Sequence, residues 1–294
     1  MNTLKTQNRG SSAEALQHHY CDIGNDFYHL WLDPTLTYSC ALWEKDEASD
    51  DLETAQMRKL DFHIAQAKAK GAERVLDVGC GWGSVLRRLV DVHGVERAVG
   101  ITMSEVHSKW IWGLNHPKLE VHLEHWMDHS PVAPYDGIIS LEAFEHFARL
   151  ELSYEEKLGV YRQFFSRCHS WLKAGGWMSL QVISYGNMRR EDASEFIFTE
   201  VLPESDLPSI ADIAKATERI FEIVELRNDR KDYVRTCKIW LSKLKANRAA
   251  AVKLVGEEVV KRYEKYLNFS IICFHVGTTD LLRIALRRID NPRQ

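Results

Sequence analysis

Val75-Leu76-Asp77-Val78-Gly79-Cys80-Gly81-Trp82-Gly83-Ser84 is the stretch on which the reading of this chain turns. Arg74–Val78 is short and apolar and reads as a strand, and Ser84–Val92, closed by Gly94, reads as a helix. Between them the glycines at 79, 81 and 83 let the backbone turn sharply and let a ligand approach the main chain. A nucleotide-like ligand is therefore expected at the carboxyl ends of the strands. A dinucleotide fingerprint needs G-x-G-x-x-G/A, and here Ser84 stands at the last position. Asp77, just ahead of the glycines, suits a cationic ligand better than a pyrophosphate.

Outward from the loop, strands and helices alternate. Ala98–Thr102 and Tyr135–Leu141 read as strands, Leu119–Trp126 as extended, and Trp177–Ser184 as a further strand. Glu105–Leu114 is helical, and Ser153 with Glu156 starts a helix that Gly175-Gly176 ends. Upstream, residues 50–70 read as a helix opened by an Asp50/Glu53 capping pair and stopped by Gly71. Residues 219–226 resume as a strand, two helical patterns follow at about 232–247 and 254–274, and Leu281–Arg288 reads as a closing strand. Such alternation implies a mostly parallel sheet covered on both faces. Two prolines (203 and 208) and the run Phe196-Ile197-Phe198 interrupt the rhythm between residues 185 and 218, which reads as an inserted lid. The organisation expected is an N-terminal helical cap, rich in aromatics, over 1–72 and a ligand-binding α/β domain over 73–294.

Composition narrows the class. The 294 residues carry 38 Lys and Arg against 42 Asp and Glu, a net charge of −4, which argues against a partner held by a broad basic field such as nucleic acid. Hydrophobic residues at 45% and charged ones at 27% exclude wholesale disorder. No window approaches the apolar length that spans a bilayer, and the first residues lack the apolar core of a secretory signal. The six cysteines, scattered without a C-x-x-C pair, read as reduced thiols of a cytoplasmic protein. His116, His122, His125 and His129 lie along an extended segment that turns 122 and 125 to opposite sides, so no metal is expected.

The D-x-G-x-G-x-G loop resembles the S-adenosylmethionine (SAM) loop of Rossmann-like class I methyltransferases. Further segments extend the likeness: Tyr20-Cys21-Asp22-Ile23-Gly24-Asn25-Asp26-Phe27-Tyr28, Leu36-Thr37-Tyr38-Ser39-Cys40-Ala41, Gly100-Ile101-Thr102-Met103-Ser104, Ala143-Phe144-Glu145-His146-Phe147, Leu207-Pro208-Ser209-Ile210, and Arg262-Tyr263 with Tyr266-Leu267. Together they resemble the cyclopropane-fatty-acid synthase family, especially mycolic acid cyclopropane synthases, over roughly residues 18–290. The resemblance implies a seven-stranded, mostly parallel sheet with helices on both faces. It implies SAM contacts from Tyr38, Ser39, Asp77, Gly79, Cys80, Gly81, Trp82, Gly83, Thr102, Met103, His107, Trp126 and Met127. It also implies a bicarbonate ion acting as general base, held by Cys40, Glu145, Ile183 and Tyr233, with Gln181 where the family has a histidine. A cysteine found in the last helix of some members is Ser270 here.

One departure opens a second reading. Glu142 creates Glu142-Ala143-Phe144-Glu145-His146, an E-x-x-E-H form similar to coclaurine-type N-methyltransferases, where cyclopropane synthases generally carry a small residue. The methyl of SAM is already electrophilic, so the protein must place a nucleophile in line and exclude water. Methylation of an alkene leaves a carbocation, which aromatic faces stabilise by about 0.5–2 kcal/mol each; Tyr20, Phe27, Phe144 and Trp126 are the candidates. A base must then remove a proton, and Glu145 with His146 is the expected pair. For an amine acceptor, Glu142 and Glu145 would hold the ammonium and His146 would take its proton. The expected acceptor is an apolar small molecule or lipid, with a small amine as the alternative. Peripheral membrane contact, a homodimer, and ring closure against simple methylation stay open.

Overall fold

The computed structural model describes residues 10, 23–44, 50–192 and 205–292. Its strands are β1 (Arg74–Val78), β2 (Arg97–Thr102), β3 (Leu119–Leu123), β4 (Tyr135–Leu141), β5 (Leu172–Tyr185), β6 (Phe221–Asn228) and β7 (Thr279–Arg288). They form one sheet in the order β3-β2-β1-β4-β5-β7-β6. β1 lies parallel to β2 and β4, β2 to β3, and β4 to β5, whereas β7 runs antiparallel to both β5 and β6. Strand order reverses direction between β1 and β4, and in such sheets a ligand binds outside the carboxyl ends of the strands at that crevice. The expected class I sheet is therefore present, with the glycine loop at its switch point.

The helices are α1 (Asn25–His29), α2 (Leu52–Gln66), α3 (Ser84–Asp91), α4 (Glu105–Gly113), α5 (Tyr154–Trp171), α6 (Ile210–Thr217), α7 (Arg230–Ala246), α8 (Arg248–Val255) and α9 (Glu257–Val276). Most match the periodicity within a few residues. Two do not. The Asp51 side chain, not Asp50, caps α2 by accepting from the Thr54 N–H at 2.7 Å. Asp50 is instead held by the Arg58 guanidinium at 2.6 and 3.1 Å. The pattern expected over 254–274 divides at Gly256, whose φ of +85° breaks the chain into α8 and α9. The β5 strand also begins earlier than expected, because Leu172 already pairs with Tyr135 across an irregular register before the regular ladder from Gly137.

Apolar residues of β1, β4, β5 and β7 form a core with α5, in which Phe144 stacks on Tyr161 at 4.5 Å and packs against Phe164 and Phe165. A second core joins the N-terminal segment to the last helices. Phe27, Tyr28 and Trp31 meet Trp240 of α7 and Tyr263 of α9, and the Tyr28 and Tyr263 hydroxyls share a 2.8 Å hydrogen bond. The described part of the N-terminal segment thus shares its interior with α7 and α9. Tyr20, Cys21 and the run Phe196-Ile197-Phe198 lie outside the described residues. The described end of the inserted segment is fastened from below: the Lys157 ammonium meets the Asp206 carboxylate at 2.9 Å and donates to the Leu207 carbonyl at 2.6 Å. The Tyr161 hydroxyl donates to the Asp206 carbonyl at 2.9 Å.

Because Trp240 is fully buried against Trp31, Tyr38 and Tyr233, Trp240→Ala is expected to cost about 3–5 kcal/mol of stability. Urea unfolding followed by tryptophan fluorescence checks this; a cost under about 1 kcal/mol would mean that the shared aromatic core is not what fixes the N-terminal segment.

Candidate functional site

The glycine loop turns at the end of β1 with positive φ at Gly79 (+83°), Gly81 (+50°) and Gly83 (+82°). A Cβ at Gly79 would stand 2.3 Å from the Ala143 Cβ, so β4 approaches the loop only because this side chain is missing. At Gly81 a Cβ would meet nothing within 4 Å, since the residue borders an open cavity. The cavity wall includes Tyr38, Ser39, Asp77, Gly79, Cys80, Gly81, Trp82, Thr102, Met103, His107 and Trp126. Gly83 is the N-cap residue of α3 and Met127 packs in the core, and neither is among the lining residues. Ser104, Glu124, His125 and Phe147 also line it and were missed. Ser104 and Phe147 close the family-like segments Gly100–Ser104 and Ala143–Phe147 but were not carried over as contacts, and Glu124 and His125 lie in no such segment; the turns after β2, β3 and β4 bring the four together.

The N-terminal segment closes one wall. The Trp82 indole N–H donates to the Asn25 side chain at 2.9 Å, tying the glycine loop to α1. Trp82 also meets the His107 ring edge-on at 4.3 Å. Lys59, fully buried on α2, donates to the Ser39 hydroxyl at 2.7 Å. Burial pulls its ammonium down to about 8, against the opposing pull of Glu142. Burial likewise pushes the Asp77 carboxyl up to about 7. Gln56, Lys59 and His63 fall three and four residues apart on the buried stripe of α2. That spacing was the available signal that this helix face is polar for a reason, and it went unread.

Glu142 ends β4 with φ of +53°, a left-handed conformation that costs a side-chain-bearing residue about 1–3 kcal/mol. Its carboxylate lines the cavity, and three donors converge on it. Oε1 accepts from the Cys40 N–H at 2.9 Å and from the Gln181 side-chain Nε2 at 2.7 Å; Oε2 accepts from the Tyr233 hydroxyl at 2.6 Å. Gln181 can point only one way. Its Oε1 accepts from the Arg283 Nε at 2.8 Å, and His63 Nε2 lies 2.9 Å from the same oxygen, so the amide nitrogen faces Glu142. Arg283, itself fully buried and paired with Asp229, also donates to the Ala41 carbonyl at 2.9 Å.

The other expected catalytic groups sit differently from the sequence reading. Glu145 is buried and is not among the cavity-lining residues. Its Oε1 accepts from the Ile183 N–H at 2.5 Å, while Oε2 has no partner among the described residues. Burial, then the neighbouring Glu142 charge, pushes the Glu145 carboxyl well above its usual range. Burial pushes the Glu142 carboxyl up as well, but its donors Tyr233, the Cys40 N–H and Gln181 oppose the rise, so of the two carboxyls Glu142 carries a charge more readily and Glu145 holds its proton more tightly. Cys40 reaches the site through its backbone N–H. Its thiol, which burial pushes far up, faces the Ala41 carbonyl at 3.2 Å. His146 does line the cavity; burial holds it down to about 4, so the ring is neutral near pH 7, and its Nδ1 lies 2.9 Å from the Ser205 hydroxyl of the inserted segment. Of the candidate aromatic faces, Trp126 borders the cavity, but Phe27 and Phe144 are fully buried in the two cores and do not. The histidines of the 116–129 stretch engage separate partners: His116 with Asp91, His122 with Glu120, and His129 with Glu124.

A D-x-G-x-G-x-G bend at the switch point of this seven-stranded sheet, with a buried acid and an aromatic wall beside it, defines a class I SAM-dependent methyltransferase. The profile of the family described as mycolic acid cyclopropane synthetase matches residues 7–284. Cyclopropane mycolic acid synthase 3 of Mycobacterium tuberculosis (strain CDC 1551 / Oshkosh) is 32% identical over 291 residues, covering 93% of this chain and 96% of that protein. A crystal structure of mycolic acid cyclopropane synthase CmaA1 complexed with SAH and CTAB superposes with a TM-score of 0.83 at 32% identity, covering 95% of this chain and 99% of that one. Coclaurine N-methyltransferase, at 20% identity and a TM-score of 0.78 over 96% of this chain and 84% of its own, shares the fold. This chain belongs to the mycolic acid cyclopropane synthetase family.

SAM is the cofactor, and the cavity suits it. The Trp126 indole N–H is buried without a partner among the described residues, and Asp77 is a buried acid on the cavity wall beside the glycine bend. The bicarbonate expected from the resemblance does not suit the residues present. The Cys40 N–H, Gln181 and Tyr233 are bonded to Glu142, and the Ile183 N–H is bonded to Glu145.

A cationic ligand beside Asp77 favours its ionised form, so SAM must displace a proton whenever the carboxyl is protonated beforehand. SAM affinity is therefore expected to fall as pH drops through about 7, with Asp77→Asn weakening binding and flattening that dependence. Calorimetry between pH 6 and 8 checks it; the same pH slope in Asp77→Asn would show that another group carries the proton.

Proposed function

We propose that this enzyme transfers the SAM methyl to an alkene carbon of an apolar, lipid-like or isoprenoid-like acceptor. The observation that carries the reading is the Glu142 carboxylate, fixed by three donors on the wall of the cofactor cavity. Alkene methylation needs a base near the new cation, and it gains from neutral, polarisable walls. Trp126 and Phe147 supply aromatic faces, in ring contact with each other at 5.3 Å. His146, neutral near pH 7, adds no competing charge. The two relatives at 32% identity are mycolic acid cyclopropane synthases, and the CmaA1 complex holds CTAB, an alkyl-chain amphiphile. Both support an apolar acceptor.

The amine reading asks Glu142 to hold an ammonium. Its three hydrogen bonds fix where such an ammonium would have to stand, and the two relatives at 32% identity favour the alkene instead. Among the described residues no helix is long and apolar enough to cross a membrane.

Purified enzyme with SAM and a panel of unsaturated lipids and isoprenoids is expected to yield products heavier by one methylene, together with SAH. A parallel panel of small amines is expected to give SAH only at the background rate. Methylated amines with unchanged alkenes would reverse the assignment.

A further inference from the structure

We propose that Glu142 is this enzyme's built-in base, a carboxylate of the chain standing where the family resemblance places a bicarbonate ion, so that turnover needs no exogenous anion. The inference rests on the alkene-methylating reading above. Five groups were expected to hold the ion: Cys40, Glu145, Gln181, Ile183 and Tyr233. Three of them, the Cys40 N–H, the Gln181 amide and the Tyr233 hydroxyl, now close on the Glu142 oxygens at 2.6–2.9 Å. The remaining two are bonded to each other, the Ile183 N–H donating to Glu145 at 2.5 Å. A second anion would find its donors taken and a fixed negative charge beside it, in surroundings where like charges repel far more strongly than in water.

The supporting shell shows that this is a built arrangement and not a chance contact. Arg283 and His63 occupy the Gln181 carbonyl oxygen and so hold the amide N–H₂ toward Glu142. Arg283 also grips the Ala41 carbonyl, which fixes the 40–41 segment whose N–H does the donating. The Glu142 N–H donates to the Gln181 carbonyl at 2.8 Å, fastening the left-handed turn. Glu142 nevertheless lines the cavity at the glycine loop.

The chemistry balances without a further reagent. The alkene π pair forms the bond to the SAM methyl, the C–S bond breaks, and SAH leaves with the sulfur lone pair. The positive charge passes to the neighbouring carbon. A Glu142 oxygen then takes a proton from an adjacent C–H, and that bond's electron pair forms a new double bond or closes the three-membered ring. Solvent removes the proton from Glu142 once the product has left.

The test uses the full-length enzyme with an alkene acceptor identified from the panel, in buffer stripped of carbon dioxide and then with bicarbonate restored. Wild type is expected to hold its rate within about twofold across that change. Glu142→Gly, a residue at ease at positive φ, is expected to lower kcat by about 100- to 10,000-fold with SAH affinity kept, and to recover in part on adding bicarbonate or formate. Glu142→Gln, closer in shape, serves if the glycine variant does not fold, and is expected to lose a similar factor. Alkene methylation by wild type that collapses without bicarbonate overturns the inference while leaving the C-methylating reading in place, as does a Glu142→Gln or Glu142→Gly enzyme of near wild-type rate. Amine products with no alkene products overturn both.

Discussion

A negative charge held inside the protein organises this structure. The Glu142 carboxylate, at the end of β4, takes hydrogen bonds from the segment after α1 through Cys40, from β5 through Gln181 and from α7 through Tyr233. Four parts of the chain, far apart in sequence, are drawn to one point. Leaving such a charge unpaired costs several kcal/mol, so each of the donors is obliged to be present, and each carries its own element with it. Arg283, Asp229 and His63 form the next layer, and their role is to settle which way Gln181 faces.

The same arrangement explains how one cavity accommodates opposite electrostatic needs. At the glycine loop, burial raises the Asp77 carboxyl to about 7, so that side welcomes a cation and becomes ionised when one arrives. The charge of Lys59 opposes the rise that burial imposes on both Asp77 and Glu142, while Lys59 loses some of its own basicity to burial. Across the cavity, burial pushes the Glu142 carboxyl up while hydrogen bonds from Tyr233, the Cys40 N–H and Gln181 and the charge of Lys59 oppose the rise. Glu145, raised by burial and then by Glu142 with only the Ile183 N–H and its own N–H against them, is pushed much further. Of two carboxyls three residues apart, Glu142 therefore gives up its proton the more readily. His146, neutral near pH 7, and the faces of Trp126 and Phe147 line the same cavity.

Much of this was legible in the sequence, for physical reasons that can be named. Strands β1, β2 and β4 are apolar runs bounded by glycine or polar turns, and the positive φ at residues 79, 81 and 83 is the reason the loop is written in glycine. Capping gave the start of α5, where Ser153 and Glu156 do bond each other's backbone. The register of residues around the carboxylate was not legible. Nothing in the spacing of Cys40, Gln181 and Tyr233 says that Glu142, rather than a bound ion, fills the gap between them. Lys59 and His63 were hidden because their helix carries many polar residues, so that the few facing inward do not stand out, and Arg283 because it stands alone in the apolar run Leu281–Leu286 of β7. The break at Gly256 was missed because helical periodicity continues on both sides of it.

A crystal structure with SAH bound, solved from crystals grown with bicarbonate in the mother liquor, tests the central claim most directly. The account predicts that the Glu142 oxygens stay on the Cys40 N–H, Gln181 and Tyr233, with no separate anion among them. Density for a planar ion on those three donors, with Glu142 turned away, would contradict it.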